Sequence, residues 1–202
     1  MGEHAYFNIL EIANTSSEGV EFVTQVYVLK QINGTTTPII DVENLLLIGT
    51  IEGGVWHHNL VVGNGWVVDQ PTVVEKNLTT HGSTLLHNSL TVKGDLKVEG
   101  EDYLTGRLDI NGQSLTVGGD LLVNGFSGLY MTKLGGHLLV DGNLTWNSPY
   151  GNCLSEGVLE VKGDFSANGV FDPSGDHKVR LSGTCKQKIN MGEHAYFNIL
   201  EI

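Results

Sequence analysis

A seven-residue pattern that returns at nearly constant spacing restricts the fold of this 202-residue chain more than any other feature. The pattern is L-x-V-x-G-[D/N]-[L/F], and its copies begin at Leu90, Leu115, Leu138 and Leu159. The third residue of each copy belongs to a longer apolar series: Val92, Val117, Val140, Val161, Leu181 and Ile202. This period of about 20 to 25 residues, with a mean of about 22, is too short for a unit that encloses its own core, so successive units must stack.

Each unit is predicted to contain three short strands. The alternation in L-x-V is typical of a strand with one buried face, and further apolar stretches follow it, such as 96–98 and 108–110 or 121–123 and 129–131. Gly followed by Asp or Asn predicts a corner, because these residues tolerate left-handed backbone angles. We therefore expect an all-β fold, a parallel β-helix (β-solenoid) with about three short strands per turn of about 20–25 residues.

An antiparallel sandwich is the alternative fold. The Asn-Gly pairs that begin at Asn33, Asn111 and Asn124 are compatible with hairpins, but the constant phase of the pattern favours the coil. The first half of the chain is less regular, with strand-sized apolar runs at 45–49, 60–63, 66–68 and 72–74. Residues 33–41, which include Pro38, are the predicted loop, because proline cannot donate to a central strand ladder.

The two ends of the chain are identical. Residues 1–12 and 191–202 both have the sequence MGEHAYFNILEI. We interpret residues 1–202 as a single β-solenoid unit in which these copies mark a 190-residue repeat, although an engineered overhang or a strand donated to a neighbouring subunit would also produce the duplication. About 8.6 turns per unit at the strand spacing predict a length of roughly 41 Å. The predicted assembly seam consists of Phe7, Ile9, Leu10, Ile12, Phe197, Ile199, Leu200 and Ile202.

Composition narrows the possible functions. Against 23 acidic residues there are 11 Lys and Arg, and the net charge of −12 repels a phosphate backbone. No apolar run reaches the roughly 18 residues that a membrane helix requires. Arginine occurs only at positions 107 and 180, and no cluster suited to acid–base catalysis is evident. We predict a protein that is not an enzyme, with no cofactor, no nucleic-acid partner and no membrane span in this segment.

Three segments together resemble a known module. They are 177–189 (HKVRLSGTCKQKI), 197–202 (FNILEI) and, beyond the twin residue Ile12, 13–22 (ANTSSEGVEF). This series is similar to the tandem β-solenoid repeats of large bacterial surface and fibre proteins, where the corresponding segments are contiguous. The resemblance implies an exported, tandemly repeated structural protein at the bacterial cell surface, without catalytic residues.

Several residues permit a chemical role as well as a structural one. Asp95, Asp120, Asn143 and Asp164 share one phase of the coil, so they form either a solvated ladder or a calcium site. His57 and His58 point to opposite faces of a strand and are therefore interpreted as surface residues, not as joint metal ligands. No metal site is predicted.

The cysteines and the large aromatic residues also allow two interpretations. Cys185 follows Leu181 by four residues, the offset of the inward residue in other turns, so it is predicted to point inward as a small apolar residue. A covalent bridge to Cys153 or to another unit is the alternative. Trp56, Trp66, Trp146 and Tyr150 are possible loop aromatics with some capacity to bind sugars.

The sequence thus predicts a mechanical function. The expected role is a structural repeat unit of an extracellular bacterial filament, in which further copies of the unit, joined covalently or not, stack end to end as one continuous solenoid. The alternative is a stalk or glycan-binding module of a cell-surface adhesin.

Overall fold

The computed structural model describes residues 5–12, 20–21, 26–35, 40–41, 45–47, 50–51, 54–56, 59–62, 65–100, 106–151 and 153–202. Within these ranges the chain forms 25 β-strands and no α-helix, and every strand pairing is parallel. The predicted all-β, parallel solenoid is confirmed. The same ranges contain no helix that could cross a membrane.

The strands are short and follow one another closely. The first are β1 (Ala5–Ile12), β2 (Val20–Glu21), β3 (Val26–Thr35), β4 (Ile40–Asp41), β5 (Leu45–Leu47), β6 (Thr50–Ile51), β7 (Val55–Trp56) and β8 (Leu60–Val62). The next are β9 (Trp66–Val68), β10 (Thr72–Val74), β11 (Leu78–Thr80), β12 (Thr84–Leu86), β13 (Leu90–Val92), β14 (Leu96–Gly100), β15 (Gly106–Asp109), β16 (Ser114–Val117) and β17 (Leu121–Gly125). The last are β18 (Ser127–Tyr130), β19 (His137–Val140), β20 (Leu144–Trp146), β21 (Val158–Val161), β22 (Phe165–Ala167), β23 (Lys178–Leu181), β24 (Ile189–Met191) and β25 (Ile199–Glu201).

Three long sheets form the sides of a triangular coil. Sheet 1 has the order β25-β23-β21-β19-β16-β13-β10-β7, sheet 2 the order β24-β22-β20-β17-β14-β11-β8, and sheet 3 the order β18-β15-β12-β9. Single bridges, Met131 to Leu154 and Phe171 to Ala195, are the only described pairings on the third side beyond β18. The chain visits the three sides in turn, and each strand pairs with its equivalent one turn later.

The turns differ in length, and the early ones are the most regular. Equivalent residues of the first turns, such as Asn59, Asn77 and Asp95, lie 18 residues apart. The strands of these turns begin every six residues, at Leu60, Trp66, Thr72, Leu78, Thr84, Leu90 and Leu96. The expectation of a less regular first half is therefore wrong for residues 60–92. In later turns the separation ranges from 20 to 25 residues, and the mean turn length is about 21 residues.

The core is one apolar column along the axis of the coil. The predicted inward series is confirmed, because Val92, Val117, Val140, Val161 and Leu181 pair directly in register and are all buried. Burial of an apolar side chain contributes about 1.5–3 kcal/mol, and each turn adds several such residues to the column. The three tryptophans, Trp56, Trp66 and Trp146, are fully buried in it. They are core residues, and the prediction of loop tryptophans with sugar-binding capacity is wrong.

The motif glycines are required for close packing at a corner. Gly94, Gly119, Gly142 and Gly163 have no positive φ, so left-handed geometry is not their role, contrary to the sequence-based argument. A Cβ on Gly142 would lie 2.5 Å from the carbonyl oxygen of Gly119 in the turn below. Because that distance is impossible for a real Cβ, only glycine permits successive corners to approach this closely.

Two predicted loop or turn segments have a different role in the structure. Asn111 and Gly112 do adopt left-handed angles, with φ of 51° and 78°, but their turn joins sheet 3 to sheet 1 within a parallel coil and does not form a hairpin. Residues 33–35 belong to β3 and residues 40–41 form β4, so the predicted loop 33–41 is wrong at both ends, and residues 36–39 lie outside the described part of the chain.

The first six strands continue the parallel arrangement. β1, β3 and β5 are successive strands of one sheet, β6 also pairs with β3, and β2 pairs with β4. Ala5 pairs with Val26, and Val26 pairs in turn with Leu45. Both steps are close to the mean turn of about 21 residues in the solenoid.

Replacement of Val92 by Asp should unfold the coil locally or destabilise it by at least about 3 kcal/mol, because an unpaired carboxylate would enter the apolar column. The matched control is Thr91→Asp, since Thr91 is adjacent but half-exposed on the outer face. We expect a large decrease in the thermal unfolding midpoint for Val92→Asp only. Equal midpoints for the two variants would contradict the inward assignment of Val92.

Candidate assembly surface

A column of hydrogen bonds joins successive turns at the corner between sheets 1 and 2. At each level a side-chain oxygen accepts the backbone N–H of the equivalent residue one turn later, with donor–acceptor distances of 2.7–3.2 Å. The accepting residues, called here the corner ladder, are Asn59, Asn77, Asp95, Asp120, Asn143 and Asp164. The last of them accepts from the N–H of Lys188.

The corner ladder brings together the four predicted residues, Asp95, Asp120, Asn143 and Asp164, in the predicted phase. Sequence analysis missed Asn59 and Asn77, which occupy the same corner in turns that lack the glycine motif. At each level the side-chain oxygen accepts a backbone N–H group. Both Asp and Asn carry such an oxygen, which explains why both residue types occur at this position. Among the described residues no group of three or more His, Cys, Asp or Glu is arranged to hold a metal ion.

The C-terminal copy (residues 191–202) covers the last complete turn. Ala195 bridges to Phe171, and β25 pairs with β23 through Ile199 to Lys178, Leu200 to Val179 and Glu201 to Arg180. The ring of Phe197 lies 5.1 Å from that of Phe165 and 6.2 Å from that of Phe171, measured between centroids. The copy is thus bound to the preceding turn along its whole length.

The outer side of this end exposes apolar side chains. Ile189 is 44% exposed, Tyr196 52%, Leu200 38% and Ile202 97%. For Ile189 and Leu200 the equivalent residues one turn earlier are buried: Ile189 pairs with Phe165, and Leu200 continues the row that contains Leu159 and Val179. The apolar column is therefore cut across at this end, and β24 and β25 are the terminal strands of sheets 2 and 1.

Charged residues bind β25 to the turn below. Glu201 accepts from Lys178 Nζ at 3.0 Å and from Arg180 Nε and Nη2 at 2.9 and 2.8 Å. The hydrogen bonds from Lys178 and Arg180 lower the pKa of Glu201. Arg180 also contacts Glu160 at 3.4 Å, and Ser182 Oγ donates to Glu160 at 2.7 Å. One of the two arginines of the chain is thus placed at this end.

The N-terminal copy (residues 1–12) has a different neighbour. Its strand β1 pairs with the following strand β3, through Ile9 to Gln31, Leu10 to Ile32 and Glu11 to Asn33. Phe7 is 40% exposed and Glu11 is exposed, whereas Leu10 packs against the core. The side chains of the predicted seam residues Ile9 and Ile12 lie outside the described part of the chain.

The two copies therefore use opposite edges of the same strand. Residues 9–11 are paired with the turn that follows them, and the identical residues 199–201 are paired with the turn that precedes them. In the described sheets β1 and β25 are each terminal strands. If one strand had both sets of partners, the coil would continue through it. The step into this strand would match that from Lys178 to Ile199, and the step out of it would match that from Ile9 to Gln31. Both steps have an ordinary turn length.

Cys185 is exposed, so the prediction that it points inward is wrong. That prediction assumed that the next strand begins four residues after each marker residue. After Leu181 the next strand begins eight residues later, at Ile189, which pairs with Phe165. Cys153 is half-buried, and the two cysteines do not form a disulfide with each other.

The side chain of Gln187 stabilises this longer connection. Its Nε2 donates to the carbonyl oxygens of Val161 and Gly163 at 3.0 and 2.6 Å, and its Oε1 accepts the N–H of Gly183 at 2.9 Å. The segment therefore returns to the corner ladder at Lys188 in spite of its extra length.

His177 is a buried residue that sequence analysis overlooked. It is fully buried, its Nδ1 lies 2.9 Å from the carbonyl oxygen of Glu156, and burial lowers its pKa. The alternation around Val179 could have identified it, since 177 and 179 point to the same face. His81 and His87 are exposed, whereas His57 and His58, which were predicted to be surface residues, lie outside the described residues.

Removal of one acceptor from the corner ladder should weaken the stack modestly. In Asp120→Ala the N–H of Asn143 loses its partner, and we expect the free energy of unfolding to fall by about 1 kcal/mol. Asp120→Asn is the matched control because its amide oxygen can still accept. Urea unfolding of both variants tests this, and an equal loss in the two would argue against the acceptor role.

Stability should decrease in acid because of His177. Its pKa is lower in the folded chain than the unfolded value of about 6.5, so the unfolded state binds more protons below that pH. The stability contribution is complete above about pH 6.5 and is lost as the pH falls toward the folded pKa. We expect the free energy of unfolding of His177→Leu to have a flatter dependence on pH than that of the wild type between pH 7.5 and 5. Identical slopes for His177→Leu and the wild type would refute this assignment.

Comparison with family models, curated proteins and solved structures gave no match to this chain. The solenoid fold therefore rests on the strand register, the buried rows and the corner ladder described above. The resemblance to bacterial surface repeats stays a prediction.

Proposed function

We propose that this chain is the structural repeat unit of a filament, in which units continue end to end as one solenoid. The observation that carries the proposal is the opposite-edge pairing of the two identical copies. Residues 9–11 lack a neighbour on the side where residues 199–201 have one, and the reverse is equally true within the described sheets. A single strand between two units would satisfy both edges.

The apolar residues at the C-terminal end support the same proposal. An uncovered ladder edge beside exposed Ile189, Leu200 and Ile202 is a surface that other strands can extend. In a continuous coil these side chains would have a following turn above them, as Leu159 and Val179 have in this chain. The apolar column would then pass through the seam without interruption.

The function that follows is mechanical. Parallel strands stacked along an axis connect each turn to the next by backbone hydrogen bonds, and the corner ladder adds a side-chain bond at each level. An extracellular bacterial location follows only from the resemblance of the signature segments. A glycan-binding adhesin is less supported, because the three tryptophans are buried.

A chain of two head-to-tail units, sharing one copy of the 12-residue segment, should form a rod of about twice the unit length. Each added unit should extend the rod by roughly 40 Å at the strand spacing. Electron microscopy and small-angle X-ray scattering measure this length directly. Two separate particles joined by a flexible connection would contradict a continuous coil. Glycan-array binding by a strictly monomeric unit would favour the adhesin function instead.

A further inference from the structure

We propose that separate chains join by strand exchange, in which residues 1–12 of one chain replace residues 191–202 of another. Glu11 of the incoming copy then occupies the position of Glu201, between Lys178 and Arg180. The inference rests on the proposed filament function and adds to it the partner, a second copy of this chain, and the charges that fix its register.

Identity of sequence makes the exchange possible. Each contact of the C-terminal copy is made by a residue that the N-terminal copy also contains: the Ala195 bridge to Phe171, the Phe197 ring against Phe165, and the β25 pairing with β23. The incoming copy can form these contacts once residues 5–8 leave strand β1 and adopt the non-strand conformation that residues 195–198 have before β25. Both copies cannot occupy the position at once, so joining requires displacement.

The exchange also gives the incoming copy contacts that it lacks in its own chain. Phe7 is 40% exposed, whereas its equivalent Phe197 packs against two phenyl rings. The free edge of residues 9–11 would pair with β23 while their other edge stays paired with β3. The additional burial of apolar surface and the additional strand pairing favour association, and they offset the entropy that is lost when two chains associate.

Charge determines the register of the docked strand. Lys178 and Arg180 both bind Glu201, with distances of 2.8–3.0 Å. A slip by one residue would turn Glu11 toward the apolar column and Leu10 toward solvent, because neighbouring residues of a strand point to opposite faces. The ion pairs therefore select the position in which the inward row continues.

The first test measures self-association of the full chain by analytical ultracentrifugation. Glu11→Lys should weaken association at least about tenfold, because it sets like charges together at the seam. Glu11 is exposed, so the thermal unfolding midpoint should not change. The matched control, Glu193→Lys, makes the same charge change at an exposed residue of the other copy and should associate like the wild type.

The second test restores the charge pairing with a different partner. A double variant, Lys178→Glu with Arg180→Glu, should not associate with itself. An equimolar mixture of this double variant and the Glu11→Lys variant should assemble, with the two chains in alternation. If the double variant does not fold, the comparison of Glu11→Lys with Glu193→Lys decides the question alone.

The outcomes separate the two proposals. Wild-type chains that stay monomeric at all concentrations, together with a two-unit chain that forms no continuous rod, would overturn the filament function. Wild-type chains that assemble, with Glu11→Lys chains that assemble equally well, would overturn the strand exchange and leave the filament intact.

Discussion

The backbone pairing of each turn with the next is the interaction on which the rest of this structure depends. Parallel strands about 4.8 Å apart place every side chain directly above its equivalent one turn earlier. An inward position is then inward in all turns, and the valines of the repeated motif become one continuous row. The same spacing leaves no room for a Cβ where corners meet most closely, as at Gly142. Core, corners and surface are thus consequences of a single axial repeat.

Much of the fold can be predicted because the chain repeats its chemistry in phase. The motif around Val92 and Val117 identifies the strands, their parallel order and the inward face. The six-residue spacing from Leu60 to Leu90 escapes the same search because these turns lack the glycine signal, although Asn59 and Asn77 perform the same corner role. Alternation alone would also have placed His177 inside.

The errors at the site come from positions that the motif does not fix. The orientation of Cys185 follows from a fixed offset, but a loop can lengthen wherever a side chain such as Gln187 satisfies its backbone groups. The tryptophans lie outside the repeated motif, so their spacing does not indicate that they fill the space inside the coil. The pairing of identical segments on opposite edges cannot be deduced from sequence, since it depends on which neighbour each segment meets.

The corner that carries the corner ladder differs from the other two corners of the coil in the length of its connections. From Trp56 to Phe165 the step across this corner is always four residues, so the differences in turn length arise at the other two corners. Even the longer connection after Leu181 rejoins the ladder, through Lys188. From Trp56 to Phe165 this corner therefore keeps a constant shape along the axis. The other two corners can accept insertions without disturbing the register, so new loops, and any recognition that they carry, can be acquired there while the rod keeps its pitch.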